Sequence, residues 1–386
     1  MSSSEAKRRQ AERIIARLTP PGRGAIAVLA LEGPGAASDV ARLFTPASGQ
    51  SLATLEPHRV VFGRLGPEPS EEVIVRLRSP ESLEIHCHGG ELAAARIQTL
   101  LGELGWEAVD WRQWLLRTQP DAIRREASAA LAQAPTQRTA SILLDQLQGA
   151  LHRAIASIHR AMAAADLATA KTQLEGLLAA GPVGLHLTSP WRVVLAGPPN
   201  AGKSSLLNAL AGFPRALVHP QPGTTRDVVT LATAIEGWAV LFCDTAGLRP
   251  TDDSLEAAGV GRALEEIAQA DLVVAVFDGT LPWDEQRRLL PRFPSALVVH
   301  NKADLVGSRP NREVGIWTSA VTGEGVEDLL HAIASRLVPQ PPLPGQAVPF
   351  TQRQVDALRL ALDELARQNL AGASQWLDRR IGKLSR

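Results

Sequence analysis

Apolar and β-branched residues alternate with polar ones in four short stretches near the start of the chain, 24–31, 58–65, 72–77 and 82–88. That period of two is the pattern of half-buried strands. Gly89-Gly90 then opens a helical pattern. Strands closed by a helix predict a small α+β domain over 1–110. Beyond it, Leu143, Leu147, Leu151, Ile155, Ile158 and Met162 recur at steps of three or four. They share one helical face, with Pro135 interrupting the segment, so 111–189 reads as the first part of a helical domain.

From 190 the texture changes. The runs 193–196, 239–242, 272–277 and 296–299 are continuously apolar and alternate with helical patterns, as in a parallel sheet buried on both faces. This predicts an α/β domain over 190–338. Val338-Pro339-Gln340-Pro341-Pro342-Leu343-Pro344 cannot continue a helix and reads as a stiff linker. Thr351 with Gln354 then forms a capping-box pattern ahead of Val355, Leu358, Leu362 and Leu365. Helix thus returns over 350–386, and the α/β unit reads as an insertion in a helical domain. The fold class is multidomain, α+β and α/β.

Composition narrows the functional classes. The chain has 386 residues, 45% of them hydrophobic, with 40 Lys+Arg against 40 Asp+Glu. A disordered chain is excluded, and zero net charge gives no global attraction to nucleic acid or anionic lipid. No run approaches the roughly 18 apolar residues that span a bilayer, and no apolar segment follows Lys7, Arg8 and Arg9, so the expectation is a cytoplasmic protein. Cys87 and Cys243 lack paired spacing and read as two buried thiols.

Gly197-Pro198-Pro199-Asn200-Ala201-Gly202-Lys203-Ser204 matches the phosphate-binding loop, between the apolar run 193–196 and a helix opened by Ser205. Glycines let backbone N–H groups turn to a polyphosphate, Lys203 reaches the β and γ phosphates, and the Ser204 hydroxyl can bind Mg²⁺. Asp244-Thr245-Ala246-Gly247 follows the apolar run ending at Cys243. Asp244 would hold Mg²⁺ through water, with the Gly247 N–H facing the γ-phosphate. Between them, Pro222-Gly223-Thr224-Thr225-Arg226-Asp227 supplies two hydroxyls, with Thr225 completing the Mg²⁺ shell when GTP binds. Asn301-Lys302-Ala303-Asp304 follows the run 296–299. Its Asp304 accepts two hydrogen bonds that guanine can donate and adenine cannot. Thr318-Ser319-Ala320 follows 314–317 and would support the base through its backbone, with Ser319 and Ala320 counted among the nucleotide-binding residues.

Lysine usage sharpens this reading. Only five of the 40 basic residues are Lys, yet Lys203 and Lys302 stand inside two of the motifs, where Arg cannot act as a compact ammonium. Four motifs in order, each after an apolar run, predict a GTP-binding domain of the P-loop class. Hydrolysis needs an oriented water, and Leu248, just after Asp-x-x-Gly, cannot orient one. Asp252, Asp253 and Glu256 are the carboxylates downstream, with Arg249 and Arg226 as candidate charge donors. Spacing does not choose among them.

The stretches 197–208, 222–227 and 244–249 together resemble the MnmE/TrmE family of tRNA-modification GTPases. Thr19-Pro20-Pro21-Gly22-Arg23-Gly24 looks like that family's amino-terminal signature. Leu83-Glu84-Ile85-His86-Cys87-His88-Gly89-Gly90 is similar to its E-I-H-C-H-G-G segment, Leu147-Gln148-Gly149-Ala150-Leu151 echoes its helical domain, and Ile381-Gly382-Lys383 its ending. The resemblance implies a folate-binding α+β domain, a helical domain with the G domain inserted, and a homodimer formed through the amino-terminal domain. It also implies K⁺-stimulated hydrolysis with Asn200 as a K⁺ ligand and Glu256 as the switch residue orienting the water. A flavin protein of the MnmG/GidA kind would be the partner in modifying the tRNA wobble uridine.

Of the family's folate-site residues Glu84 remains, but the Y-T-G-E-D-type run before it is missing, the central segment with a folate-contacting Lys is deleted, and two further positions depart from the family. Arg380 stands where it has a Cys, and Ala30 where it commonly has Arg. Three readings follow: a GTPase in tRNA modification, a GTP-dependent switch for another partner without that chemistry, and an ATPase in which Asp304 does not set nucleotide choice. Elsewhere the bland reading is preferred. His86 and His88 share one strand face without a third metal ligand, and Arg124, Arg125 and Arg138 with Trp106, Trp111 and Trp114 read as a solvated face rather than an RNA surface.

Overall fold

The computed structural model describes residues 13–49, 52, 56–212, 230–244, 266–308 and 314–381. They divide into two compact units, Met1–Asp121 and Ala122–Arg386.

The first unit is built on a seven-stranded sheet of order β3-β4-β5-β6-β2-β1-β7. Its strands are β1 (Ile14–Arg17), β2 (Ile26–Glu32), β3 (Phe44–Pro46), β4 (Val60–Leu65), β5 (Glu71–Ser79), β6 (Ser82–His88) and β7 (Glu107–Val109). Every pairing is antiparallel except β1 with β7. Alternation does the sorting: Val73, Val75 and Leu77 of β5 and Leu83, Ile85 and Cys87 of β6 point into the core, where helices α1 (Ala36–Leu43) and α2 (Glu91–Glu103) contribute Val40, Ala94, Ile97 and Leu101. His86 and His88 take the other face of β6, as their parity requires. Strands β1, β3 and β7 span only three or four residues each, too few for a period to show in the sequence.

This unit runs past residue 110 because α3 (Trp111–Thr118) belongs to it. Asp110 caps that helix by accepting from the Arg112 and Gln113 amides, Trp114 packs on Ile14, Ala16 and Val109, and Arg117 reaches back to Glu107 at 2.7 Å.

In the second unit α4 (Ala122–Leu131), α5 (Gln137–Leu147), α6 (Ala150–Ala163) and α7 (Leu167–Leu185) precede the sheet. The apolar stripe expected on one helix is divided between α5 and α6, because Gly149 takes a left-handed φ of 95° that ends the first helix. The stripe nevertheless packs with the carboxyl-terminal helices in one core, as expected of a core face. The sheet has order β13-β12-β11-β8-β10-β9, from β8 (Trp191–Ala196), β9 (Thr230–Ile235), β10 (Trp238–Asp244), β11 (Leu272–Asp278), β12 (Leu297–Asn301) and β13 (Ile316–Trp317). Only β9 runs antiparallel to its neighbour. It escapes sequence reading because Thr and Ala alternate in it with no strong apolar run.

Helices α8 (Lys203–Ala211), the short α9 (Trp283–Gln286) and α10 (Val326–Leu337) accompany the sheet, and α11 (Gln352–Ala366) and α12 (Leu370–Arg380) complete the helical layer. Thr351 caps α11 by accepting from the Gln354 amide, but the expected capping box is not reciprocal. Gln354 instead accepts from the Phe350 amide and donates to Glu126. The returning chain is stitched to α5: the buried Gln146 donates to the Gln346 carbonyl and accepts from the Val348 amide, while Asp145 accepts from the Gly345 amide. Among the described residues no helix is long and apolar enough to cross a membrane.

Candidate nucleotide-binding site

Four parallel strands, β8, β10, β11 and β12, end side by side, and their carboxyl ends are where α/β folds bind ligands. The first, β8, runs into the loop 197–202. Gly197 adopts a φ of 142°, and a Cβ there would lie 2.1 Å from the Val276 carbonyl oxygen. Gly202, at φ 87°, caps α8, and a Cβ there would lie 2.3 Å from Asn301 Nδ2. Both positions exclude any side chain, so the loop lies flat on the strand ends with the amino terminus of α8 at its mouth. Asn200, exposed at the tip with φ 63°, and the buried Ala201 complete the turn.

Lys203 is only 6% exposed, and its Nζ donates to the carbonyls of Gly197 at 3.0 Å and Pro198 at 2.9 Å. The ammonium thus ties the two ends of the loop's first turn to the start of α8. Ser204, the next residue, donates from its hydroxyl to Asp244 Oδ2 at 2.5 Å, while Ser205 is exposed beside it. Asp244 ends β10 and is 1% exposed. A hydroxyl and a buried carboxylate facing one another are hard oxygen donors of the kind Mg²⁺ takes. Cys243 beside it and Cys87 in the first unit are free and buried, and burial pushes both thiols up.

Asn301 joins two of the motifs. Its Nδ2 donates to the carbonyls of Ala201 at 3.1 Å and Gly202 at 3.3 Å, and its Oδ1 accepts from the Ala320 amide at 3.2 Å. Ser319 donates to Asp304 Oδ1 at 2.5 Å and accepts from the amides of Val321 and Thr322. Asn301, Lys302, Asp304, Ser319 and Ala320 therefore form one connected wall beside the phosphate loop. Thr224, Thr225, Gly247 and Glu256, with Leu248, Asp252, Asp253, Arg226 and Arg249, lie outside the described residues.

Sequence reading passed over Asp278, which ends β11 and is 8% exposed. It accepts from Lys302 Nζ at 2.6 Å and from the Thr280 hydroxyl and amide. A carboxylate at the end of a parallel strand, followed by Gly, was the available signal. Burial works to raise this carboxyl, but the Lys302 ammonium and the two Thr280 donors outweigh it and hold it below the usual range. Asp271 behaves likewise: burial raises it, but His186 and the Arg192 amide bring it down.

Both groups are depressed in the folded state. Their contribution to stability is present above the unfolded pKa, near 3.8, and lost as pH falls through the lower folded value. The thermal midpoint, followed by circular dichroism, is expected to fall steeply below about pH 4. Asp278→Asn and Asp271→Asn should each flatten that acid limb, and an unchanged limb in both would contradict the assignment.

The sequence pattern of the family described as 50S ribosome-binding GTPase matches residues 192–302. Over 412 residues the chain is 32% identical to the tRNA modification GTPase MnmE of Moorella thermoacetica, covering 93% of this chain and 88% of that one. The protein of the same name from Prochlorococcus marinus is 33% identical over 97% of this chain and 91% of its own. That from Symbiobacterium thermophilum is 33% identical over 92% and 88%.

Proposed function

Since this chain belongs to the MnmE family of tRNA modification GTPases, we propose that it spends GTP on modifying the tRNA wobble uridine through the residues just described. It is a GTPase acting in tRNA modification, taking GTP to GDP and phosphate. The ATPase reading falls with that. The residue assignment is supported above all by the network of Lys203, Ser204, Asp244 and Asn301 at the strand ends.

In this reading the amides of Asn200, Ala201, Gly202, Lys203, Ser204 and Ser205 take the phosphate oxygens. The Lys203 ammonium exchanges the Gly197 and Pro198 carbonyls for the β and γ phosphates. Ser204, Thr225 and Asp244 would hold Mg²⁺. When bound, the ion neutralises charge on the phosphates. Asp304 accepts the two guanine donors, with Ser319 and Ala320 supporting it. Thr224 and the Gly247 amide complete the phosphate shell, and Glu256 orients the attacking water.

Asn200 offers a neutral side-chain oxygen at the exposed loop tip, which suits K⁺, and we assign it that role. A folate fits less well. Glu84 is only 6% exposed and already engaged by Arg76 at 3.3 Å and by Arg78, and Ala30 lies opposite it in the sheet. Glu84 is thus held by two guanidinium groups and faces no basic side chain at position 30, and no step is routed through a folate. The amino-terminal unit is then a scaffold for pairing with a second copy, and a flavin protein of the MnmG/GidA kind and tRNA complete the system.

Mass spectrometry of wobble-uridine nucleosides, in tRNA from cells with and without this gene and with no other family member, tests the assignment. The modified uridine is expected to disappear and to return with the wild-type gene but not with Lys203→Ala. An unchanged profile would sink the wobble-uridine assignment. It would favour the switch reading, in line with Arg380 standing where the family has its Cys.

A further inference from the structure

We propose that Asp278 is a positioning residue of the guanine pocket, fixing the Lys302 ammonium beside the base site from outside the four nucleotide motifs. The inference rests on the reading of Asn301 to Asp304 as the guanine-recognition segment and adds the group that sets it.

Asp278 and Asn301 are in register on adjacent parallel strands, so the carboxylate and the start of that segment leave the sheet side by side. Lys302 takes a left-handed φ of 66°, uncommon for a side-chain-bearing residue. Its Nζ meets Asp278 Oδ2 at 2.6 Å. The other oxygen of Asp278 is occupied by Thr280, whose hydroxyl donates at 2.6 Å and whose amide donates at 2.9 Å. The carboxylate therefore has both oxygens fixed.

Asp278 is itself clamped by its neighbours. Gln286, 6% exposed, accepts from the Asp278 amide at 3.0 Å and donates to its carbonyl at 2.8 Å. The Gly279 amide donates to the Asn301 carbonyl at 2.7 Å, and a Cβ on Gly279 would lie 2.6 Å from that same oxygen. Gln286 and Gly279 thus hold the backbone, the backbone and Thr280 hold the carboxylate, and the carboxylate holds the lysine.

The chemical consequence is preorganisation. A lysine on a four-carbon stem loses rotamer freedom when it must settle against a ligand. One already tethered by a buried carboxylate has lost that freedom beforehand. Asp278 then favours nucleotide binding, not the chemical step, because Lys302 and Asp278 both sit at the base end of the site and not at the γ-phosphate.

The test uses the full chain. For Asp278→Asn, KM for GTP and Kd for GDP are expected to rise about tenfold or more, with kcat held within about twofold. Lys302→Met should weaken binding by itself, and the double variant should lose no more than Lys302→Met alone, because Asp278 acts through that lysine. Thr280→Val keeps the carboxylate and removes one of its donors, so it should give a smaller rise in the same two constants. Unchanged GDP affinity in Asp278→Asn, additive losses in the double variant, or a fall in kcat equal to the fall in kcat/KM would each overturn the proposal. Wild-type protein that binds no GDP would overturn the guanine reading as well, and so separates the two failures.

Discussion

Lys203→Ala is expected to abolish measurable phosphate release from GTP and to weaken GTP binding by about 10²- to 10⁴-fold. The lysine would make two charge-assisted contacts, one each to the β and γ phosphates, each worth about 1.5 to 3 kcal/mol. At about 1.4 kcal/mol per decade that range follows directly. The loop itself adds a second loss, because the same Nζ donates to the Gly197 and Pro198 carbonyls and shapes it. Lys203→Arg should not restore activity, since a planar guanidinium cannot occupy a cradle built around one compact ammonium. Turnover is read by phosphate release and binding by a fluorescent GTP analogue. Near-normal turnover in either variant would remove Lys203 from the mechanism.

Glu256→Ala is expected to leave GDP and GTP affinity intact while lowering kcat by about 10²- to 10⁴-fold, the range for loss of a positioned general base. Leu248 follows Gly247 directly and has no polar atom to hold water, so a group farther along must do so. Among the carboxylates farther along, Glu256 is the one proposed here, because it resembles the family's switch residue. Single-turnover hydrolysis with enzyme in excess separates this from slow product release. Unchanged turnover would return the question to Asp252 and Asp253.

The motifs of the nucleotide site were readable because each carries unusual chemistry at a fixed offset from an apolar run. Gly197, Lys203, Asp244 and Asn301 all come together at the strand ends, where the sequence pattern placed them. Asp278 was not readable, because a single acidic residue before Gly has the look of a surface turn until β11 and β12 are set side by side. The same limit explains the helices. A step of three or four runs unbroken from Leu143 to Met162 in sequence, and only the left-handed φ of Gly149 divides it. Strands of three or four residues, such as β3 and β7, have too few positions to declare a period.

The route of the chain through its second unit also bears on how the protein is made. Helices α4 to α7 are complete by Leu185, but their shared core includes Leu358, Ala361, Leu365 and Leu377 from α11 and α12, which begin at Gln352. At about 5 to 20 residues per second of synthesis, those partners follow on the order of ten seconds later. For that interval the apolar faces of α5, α6 and α7 are on the ribosome without their cover, while the whole six-stranded sheet emerges and can form its own parallel pairings. Nascent chains halted before Gln352 should therefore be bound by chaperones that recognise exposed apolar helix, and those extended past Ile381 should be released.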